Sequence, residues 1–137
     1  MSDQWEPRPT PEVNPETEHF WKGCAEGEFR FMECTDCGLA YFYPRTLCPD
    51  CFSEDTEWRT AEGTGEIYTY STARTMSGWP EEDLPLVVAY VELDEGPRVM
   101  TNVVDCDPDD LEVGTRVEAL FRETDDEDVG IPVFTPV

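Results

Sequence analysis

Cys34-Thr35-Asp36-Cys37 and Cys48-Pro49-Asp50-Cys51 stand ten residues apart, and the rest of the chain is organised around them. Each C-x-x-C pair lets a tight turn aim two sulfurs at one point. Two such turns supply the four thiolates of a tetrahedral metal site, closed against a catalytic water. Gly38 follows the first pair, where a residue that tolerates positive φ lets the chain fold back under the sulfurs. Phe52 holds the equivalent place after the second pair, so the second knuckle is expected to depart from the standard turn.

The cofactor expected on Cys34, Cys37, Cys48 and Cys51 is structural Zn²⁺. The alternatives are two disulfides or an iron site, because Cys34-x-x-Cys37-Gly38 and Cys48-Pro49-x-Cys51 also resemble rubredoxin knuckles. Thiolate ligation alone does not separate zinc from iron. The spacer is much shorter than rubredoxin's, and Met1-Ser2-Asp3-Gln4-Trp5 has neither the basic start nor the apolar run of a secretion signal. Zinc therefore stays ahead, in a soluble protein of the reducing cytoplasm. No apolar run is long enough to cross a membrane.

Asp and Glu number 32 against nine Lys and Arg, with Lys22 the sole lysine, for a net charge of −23. A zinc tetrathiolate adds two more negative charges. Such a surface repels phosphate backbones and anionic membranes, and residues 61–137 carry 19 acids and four arginines. A nucleic-acid-binding module, the competing reading, lacks the cations it needs. With 39% hydrophobic and 12% aromatic residues the chain folds despite its acidity. Lysine scarcity and spread carboxylates resemble proteins that work in concentrated salt, as in a halophilic archaeon, where screening relieves self-repulsion.

Four parts are expected: an extended arm (residues 1–13), a helix (14–28), a metal ribbon (29–60) and a small β barrel (61–137). Pro7, Pro9 and Pro11 keep the arm from helix. Asn14-Pro15-Glu16 reads as a helix start, predicting a helix over about 15–26 with Phe20 and Cys24 on one side and Gly27 at its end. His19 is expected to be solvated or capping, and Cys24 a buried thiol.

Residues 29–33 and 39–43 form a ribbon carrying the knuckles. Phe29, Phe31, Tyr41, Phe42, Tyr43, Phe52 and Trp58 are too many aromatics for so small a module to bury alone. Packing against the helix and barrel is the plainer reading, and docking on a partner is the functional one, with Tyr41 and Phe42 as exposed candidates.

Strands follow at 66–72, with Tyr68 and Tyr70 opposite Ile67 and Thr69, and at 86–93 and 98–104 joined by the turn Asp94-Glu95-Gly96-Pro97. At 115–122, Val117, Ala119 and Phe121 face one way and Arg116, Glu118 and Arg122 the other. A last short strand lies near 131–134. Five short strands with a long connection after the third predict a Greek-key barrel of the OB type, making the whole mainly β with one N-terminal helix and a rubredoxin-like zinc ribbon.

The acids 125–128 lack the glycine and closing Glu of an EF-hand loop. Cys106 has nothing nearby to stabilise its thiolate. With one His, no nucleophile and base set, and no phosphate-cradling glycine motif, no catalytic residue is assigned.

The order of Phe20-Trp21, Gly27-Glu28-Phe29, Cys34-x-x-Cys37-Gly38, Pro44-Arg45-x-x-Cys48-Pro49-x-Cys51-x-Ser53, Trp58, Gly63-x-Gly65-x-Ile67-Tyr68-x-Tyr70, Leu93-Asp94-Glu95-Gly96-Pro97 and Asn102-Val103-Val104-Asp105 resembles the DUF35 family from Pro11 onward. Phe52, where the family commonly has Gly, is the visible departure. The resemblance implies a helix, a zinc ribbon and an OB-fold in a noncatalytic accessory subunit of thiolase-superfamily enzymes. Relatives bridge an acetoacetyl-CoA thiolase to a hydroxymethylglutaryl-CoA synthase in the mevalonate route, or support thiolase-like aldolases, and can help hold acyl-CoA. For CoA, Arg74 and Arg98 offer charge, and Trp79 or Tyr68 a stacking face. Their plainer roles are charge balance and barrel packing, and no cofactor-binding site is assigned to them.

Overall fold

The computed structural model describes residues 10–137; the first nine residues of the expected arm lie outside the described residues. Asn14 begins the first turn by accepting, through its side-chain oxygen, the N–H groups of Glu16 (3.1 Å) and Thr17 (3.2 Å). That turn absorbs the residues expected to begin the helix, so α1 runs Glu18–Ala25. Gly27 ends it at φ +82°, and the Glu28 N–H closes back on the Gly23 carbonyl at 2.8 Å. Phe20 and Cys24, one turn apart, are both buried.

A three-stranded antiparallel ribbon follows, with β1 (Arg30–Cys34) between β2 (Ala40–Tyr41) and β3 (Thr56–Thr60). The barrel comprises β4 (Thr64–Ala73), β5 (Leu86–Leu93), β6 (Arg98–Val103), β7 (Arg116–Glu123) and β8 (Gly130–Pro136). It closes in the order β4-β5-β6-β8-β7, and β6 meets β8 in parallel at Val103 and Phe134. The long connection between β6 and β7 contains a 3₁₀ turn, Pro108–Asp110. This is the expected OB-type closure. No helix among the described residues is long and apolar enough to cross a membrane.

Helix, ribbon and barrel share one core. The Phe20 ring lies 5.4 Å from Phe29 and 5.0 Å from Phe42, and Phe29 lies 6.1 Å from Phe134 of β8. Gly130 lets the helix backbone sit directly on β8: a Cβ there would come within 2.7 Å of the Cys24 carbonyl carbon. Arg30 crosses Gly23 to donate to the His19 carbonyl (3.0 Å) and to Glu28 (2.7 Å). The exposed His19 ring packs against Trp58 at 4.8 Å.

Three expectations about side-chain direction are overturned. A bulge between Ile67 and Thr69 turns Tyr68 and Thr69 both outward, so Tyr70 swings inward and its hydroxyl donates to the Leu111 carbonyl at 2.7 Å. Arg122, expected outward with Arg116 and Glu118, is buried and lies 3.6 Å from Asp105. By alternation Arg122 shares its face of β7 with Leu120, which packs with Val133, Leu86 and Val104 in a second apolar cluster, so that end of the strand lacks the solvated face that strand alternation presumes. Tyr41 is buried too, its hydroxyl donating to the Arg45 carbonyl at 2.8 Å. It belongs to the ribbon's packing and not to an exposed contact face.

Candidate metal centre

The two knuckles have matching backbone geometry. Cys34 donates its N–H to Leu39 (2.8 Å) and Cys48 donates to Ser53 (3.0 Å). Gly38 returns an N–H to the Cys34 carbonyl at 2.9 Å, and Phe52 returns one to the Cys48 carbonyl at 3.0 Å. Gly38 has φ +78° and Phe52 φ +62°. The expectation that Phe52 alters the second turn is therefore corrected: it adopts the left-handed conformation itself, with its ring 71% exposed. Hydrogen bonds within the second turn offset the steric cost of a Cβ there, roughly 1–2 kcal/mol.

These turns bring the four predicted sulfurs together. All lie within 4.8 Å of one another, with Cys34 to Cys51 and Cys37 to Cys48 each at 3.6 Å. A Zn–S bond of about 2.3 Å gives a tetrahedron with edges of about 3.8 Å, so the cluster needs little adjustment to close around the ion. Peptide N–H groups of Cys37 and Asp50 point at the Cys34 and Cys48 sulfurs, each at 3.4 Å. The N–H groups of Cys51 and Asp50 bring the Cys48 thiol down to about 7. At Cys51 the Ser53 N–H acts in the same direction, but desolvation together with the crowded sulfurs of Cys34, Cys37 and Cys48 prevails and the thiol is pushed up to about 12. Thiols this close do not ionise together without a cation between them.

Cys34 and Cys48 are buried while Cys37 and Cys51 face solvent. Ser53 donates to Asp36 across the two knuckles. The remaining cysteines stay apart from the cluster: burial raises the Cys24 thiol to about 12, and burial with Asp105, Asp107 and Asp110 raises that of Cys106. The four-sulfur set can hold Zn²⁺ and organise the ribbon; it offers no vacant coordination position for substrate.

Of the side chains weighed for CoA, Arg74 and Trp79 share one groove with Glu81. Arg98 instead lies over the Tyr68 ring, 3.8 Å from its centroid. Four other residues went unnoticed as a group in the sequence: Tyr43, Arg45, Tyr90 and Met100, which meet Arg98 in a second groove. Strand register sets Tyr90 opposite Met100, and the docking of the ribbon on the barrel adds Tyr43 and Arg45.

Known proteins account for both modules. Residues 21–57 match the ChsH2 rubredoxin-like zinc ribbon domain, and residues 58–122 the ChsH2 C-terminal OB-fold domain. A DUF35 domain-containing scaffold protein of Methanocaldococcus jannaschii is 39% identical over 106 residues, covering 75% of this chain and 74% of that protein. A probable enoyl-CoA hydratase alpha subunit of Thermomonospora curvata is 35% identical over 129 residues, or 94% of this chain but 40% of that longer protein. Among solved structures, a chain of an Ltp2-ChsH2(DUF35) aldolase superposes with a TM-score of 0.78 at 32% identity, covering 92% of this chain and 98% of that one. Zinc ribbon and sulfur cluster together give the chain a structural Zn²⁺ cofactor.

Proposed function

Because the chain belongs to the DUF35 family, we propose that it is a noncatalytic accessory subunit of a thiolase-superfamily complex handling acyl-CoA. The particular pairing is an acetoacetyl-CoA thiolase with a hydroxymethylglutaryl-CoA synthase, on the mevalonate route. One observation carries the accessory reading: the near end-to-end likeness to a chain of a two-component aldolase. Cys34, Cys37, Cys48 and Cys51 are its zinc ligands, closed by thiolates and so structural. We take the parts as arm 1–13, helix 14–28, ribbon 29–60 and barrel 61–137, working in the cytoplasm.

The likeness to a hydratase alpha subunit favours a second reading, in which a chain of this build serves a hydratase. Enoyl-CoA turnover by the purified chain alone would overturn the noncatalytic assignment. The first reading is tested by co-expression with the host's thiolase in molar KCl, followed by size-exclusion chromatography and an acyl-CoA condensation assay. Co-elution with altered condensation is expected. Separate elution with unchanged thiolase activity overturns it.

The net charge of −23 suits concentrated salt, as in a halophilic host. The Debye length shrinks from about 10 Å at 0.1 M to about 3 Å at 1 M, which relieves repulsion among crowded carboxylates. The thermal midpoint should rise with KCl, and a flat profile would contradict this adaptation.

A further inference from the structure

The groove between the barrel and the helix and ribbon differs chemically from its surroundings. Its volume is about 530 Å³, and Trp21, Tyr43, Arg45, Tyr90, Arg98 and Met100 contribute to its walls. Among the described residues, no Asp or Glu lines it, in a chain with 32 acids and nine cations. The larger groove at the helix C-terminus is lined by Glu26, Glu123, Asp125, Asp126 and Glu127.

Strand register makes this surface. Tyr90 of β5 stands opposite Met100 of β6, and Glu92 opposite Arg98. Met100 is 65% exposed, and Tyr43, Tyr68 and Tyr90 are also exposed. Arg98 lies over Tyr68, and its Nε donates to Glu92 at 3.0 Å. The guanidinium is thereby held in place beside the apolar row.

Tyr, Met and Arg are the residues enriched at interface centres, where Lys, Glu and Asp are depleted. A barrel face in contact with water alone has no need of that composition. Arg45 and Arg98, the latter already paired through its Nε with Glu92, give the groove cationic groups and no lining acid, so it receives a carboxylate more readily than the acidic groove at the helix C-terminus does.

We propose that this face seats the partner enzyme, through an apolar patch on that enzyme bearing carboxylates that reach Arg45 and Arg98. The proposal rests on the accessory-subunit reading and names the surface that serves it. Its test measures the dissociation constant of the host thiolase in molar KCl for the full chain and for Tyr90→Ala, Met100→Ser and Arg98→Glu. Val137→Ser and Val113→Ser, at exposed apolar positions elsewhere, serve as controls. All five positions are exposed, and circular dichroism checks each variant's fold.

Each groove variant should weaken binding about tenfold or more, as for interface centres, while the controls change it less than about twofold. Wild-type binding that persists unchanged in all three groove variants overturns the surface assignment and leaves the accessory reading standing. Absence of wild-type binding overturns both. A homodimer lost in the groove variants would give the face to a second copy of this chain. CoA binding lost in Arg98→Glu, with thiolase affinity unaltered, would give it to a nucleotide. Either outcome overturns the proposal.

Discussion

The ribbon and the barrel are both antiparallel structures in their main pairings, but they hold together by different means. In the ribbon β2 has only two residues, and the chain on either side of it is fixed by four sulfurs and the matched knuckle hydrogen bonds. In the barrel, Ile67, Val87, Ala89, Val91, Val99, Val117 and Phe134 fill a closed interior, and no metal is required. A module too small to bury a core relies on the ion for its folding energy, whereas a closed sheet obtains its own by packing. The two meet at Phe29 and Phe134, so neither is wholly independent.

The sharpest way to break the contrast is Cys34→Ser. It removes a buried ligand, and structural zinc sites contribute about 10–16 kcal/mol of apparent binding energy. Zinc should fall from one ion per chain to none, and amide exchange should speed throughout the ribbon while β5 and β6 stay protected. Equal loss in both regions would show that the barrel also depends on the metal.

Phe134→Ala reverses the experiment. It empties a fully buried site next to Phe29 and should cost about 3–5 kcal/mol in denaturant unfolding. The knuckles should retain zinc under native conditions. Gly130→Ala acts on the seam, pressing a methyl into the helix backbone at Cys24. About 1–3 kcal/mol is expected, with the loss of helix signal preceding barrel unfolding.

Much of this division is legible in residue spacing. The paired cysteines announce a four-sulfur site because C-x-x-C turns are local, and Leu86–Leu93 announces a strand because alternation is local. Arg122, Tyr70 and Tyr41 depart from the local reading for one common reason: their directions depend on distant elements. Arg122 is buried beside a second apolar cluster of Leu86, Val104 and Val133 and next to Asp105, and the bulge before Tyr70 arises in pairing with β5. Tyr41 is buried by the ribbon's return through Arg45. The groove of Tyr43, Arg45, Tyr90 and Met100 is equally non-local, since strand register and the ribbon's docking bring its members together.

Two smaller effects refine the account. Phe52→Gly should relieve a left-handed residue at φ +62° and stabilise the ribbon by about 0.5–1 kcal/mol after glycine's entropic cost. Zinc competition with a chelator reads the gain, and a loss would mean that the exposed ring contributes to packing. In the barrel, hydrogen bonds from Arg116 and Thr64 hold Asp94 down at about 2. Because its folded value lies below its ordinary one, its contribution is present above about pH 4 and fades as pH falls through about 2. Arg116→Ala should raise the Asp94 value, measurable by carboxyl NMR titration.

The central claim is that the ion holds the ribbon while packing holds the barrel. Its most direct test is elemental analysis of the purified protein, followed by residue-resolved NMR during metal removal in molar KCl. One zinc per chain is predicted, with resonances of residues 30–60 collapsing on chelation while those of β5 and β6 persist. A ribbon spectrum unchanged after complete metal removal, or stoichiometric iron in place of zinc, would contradict it.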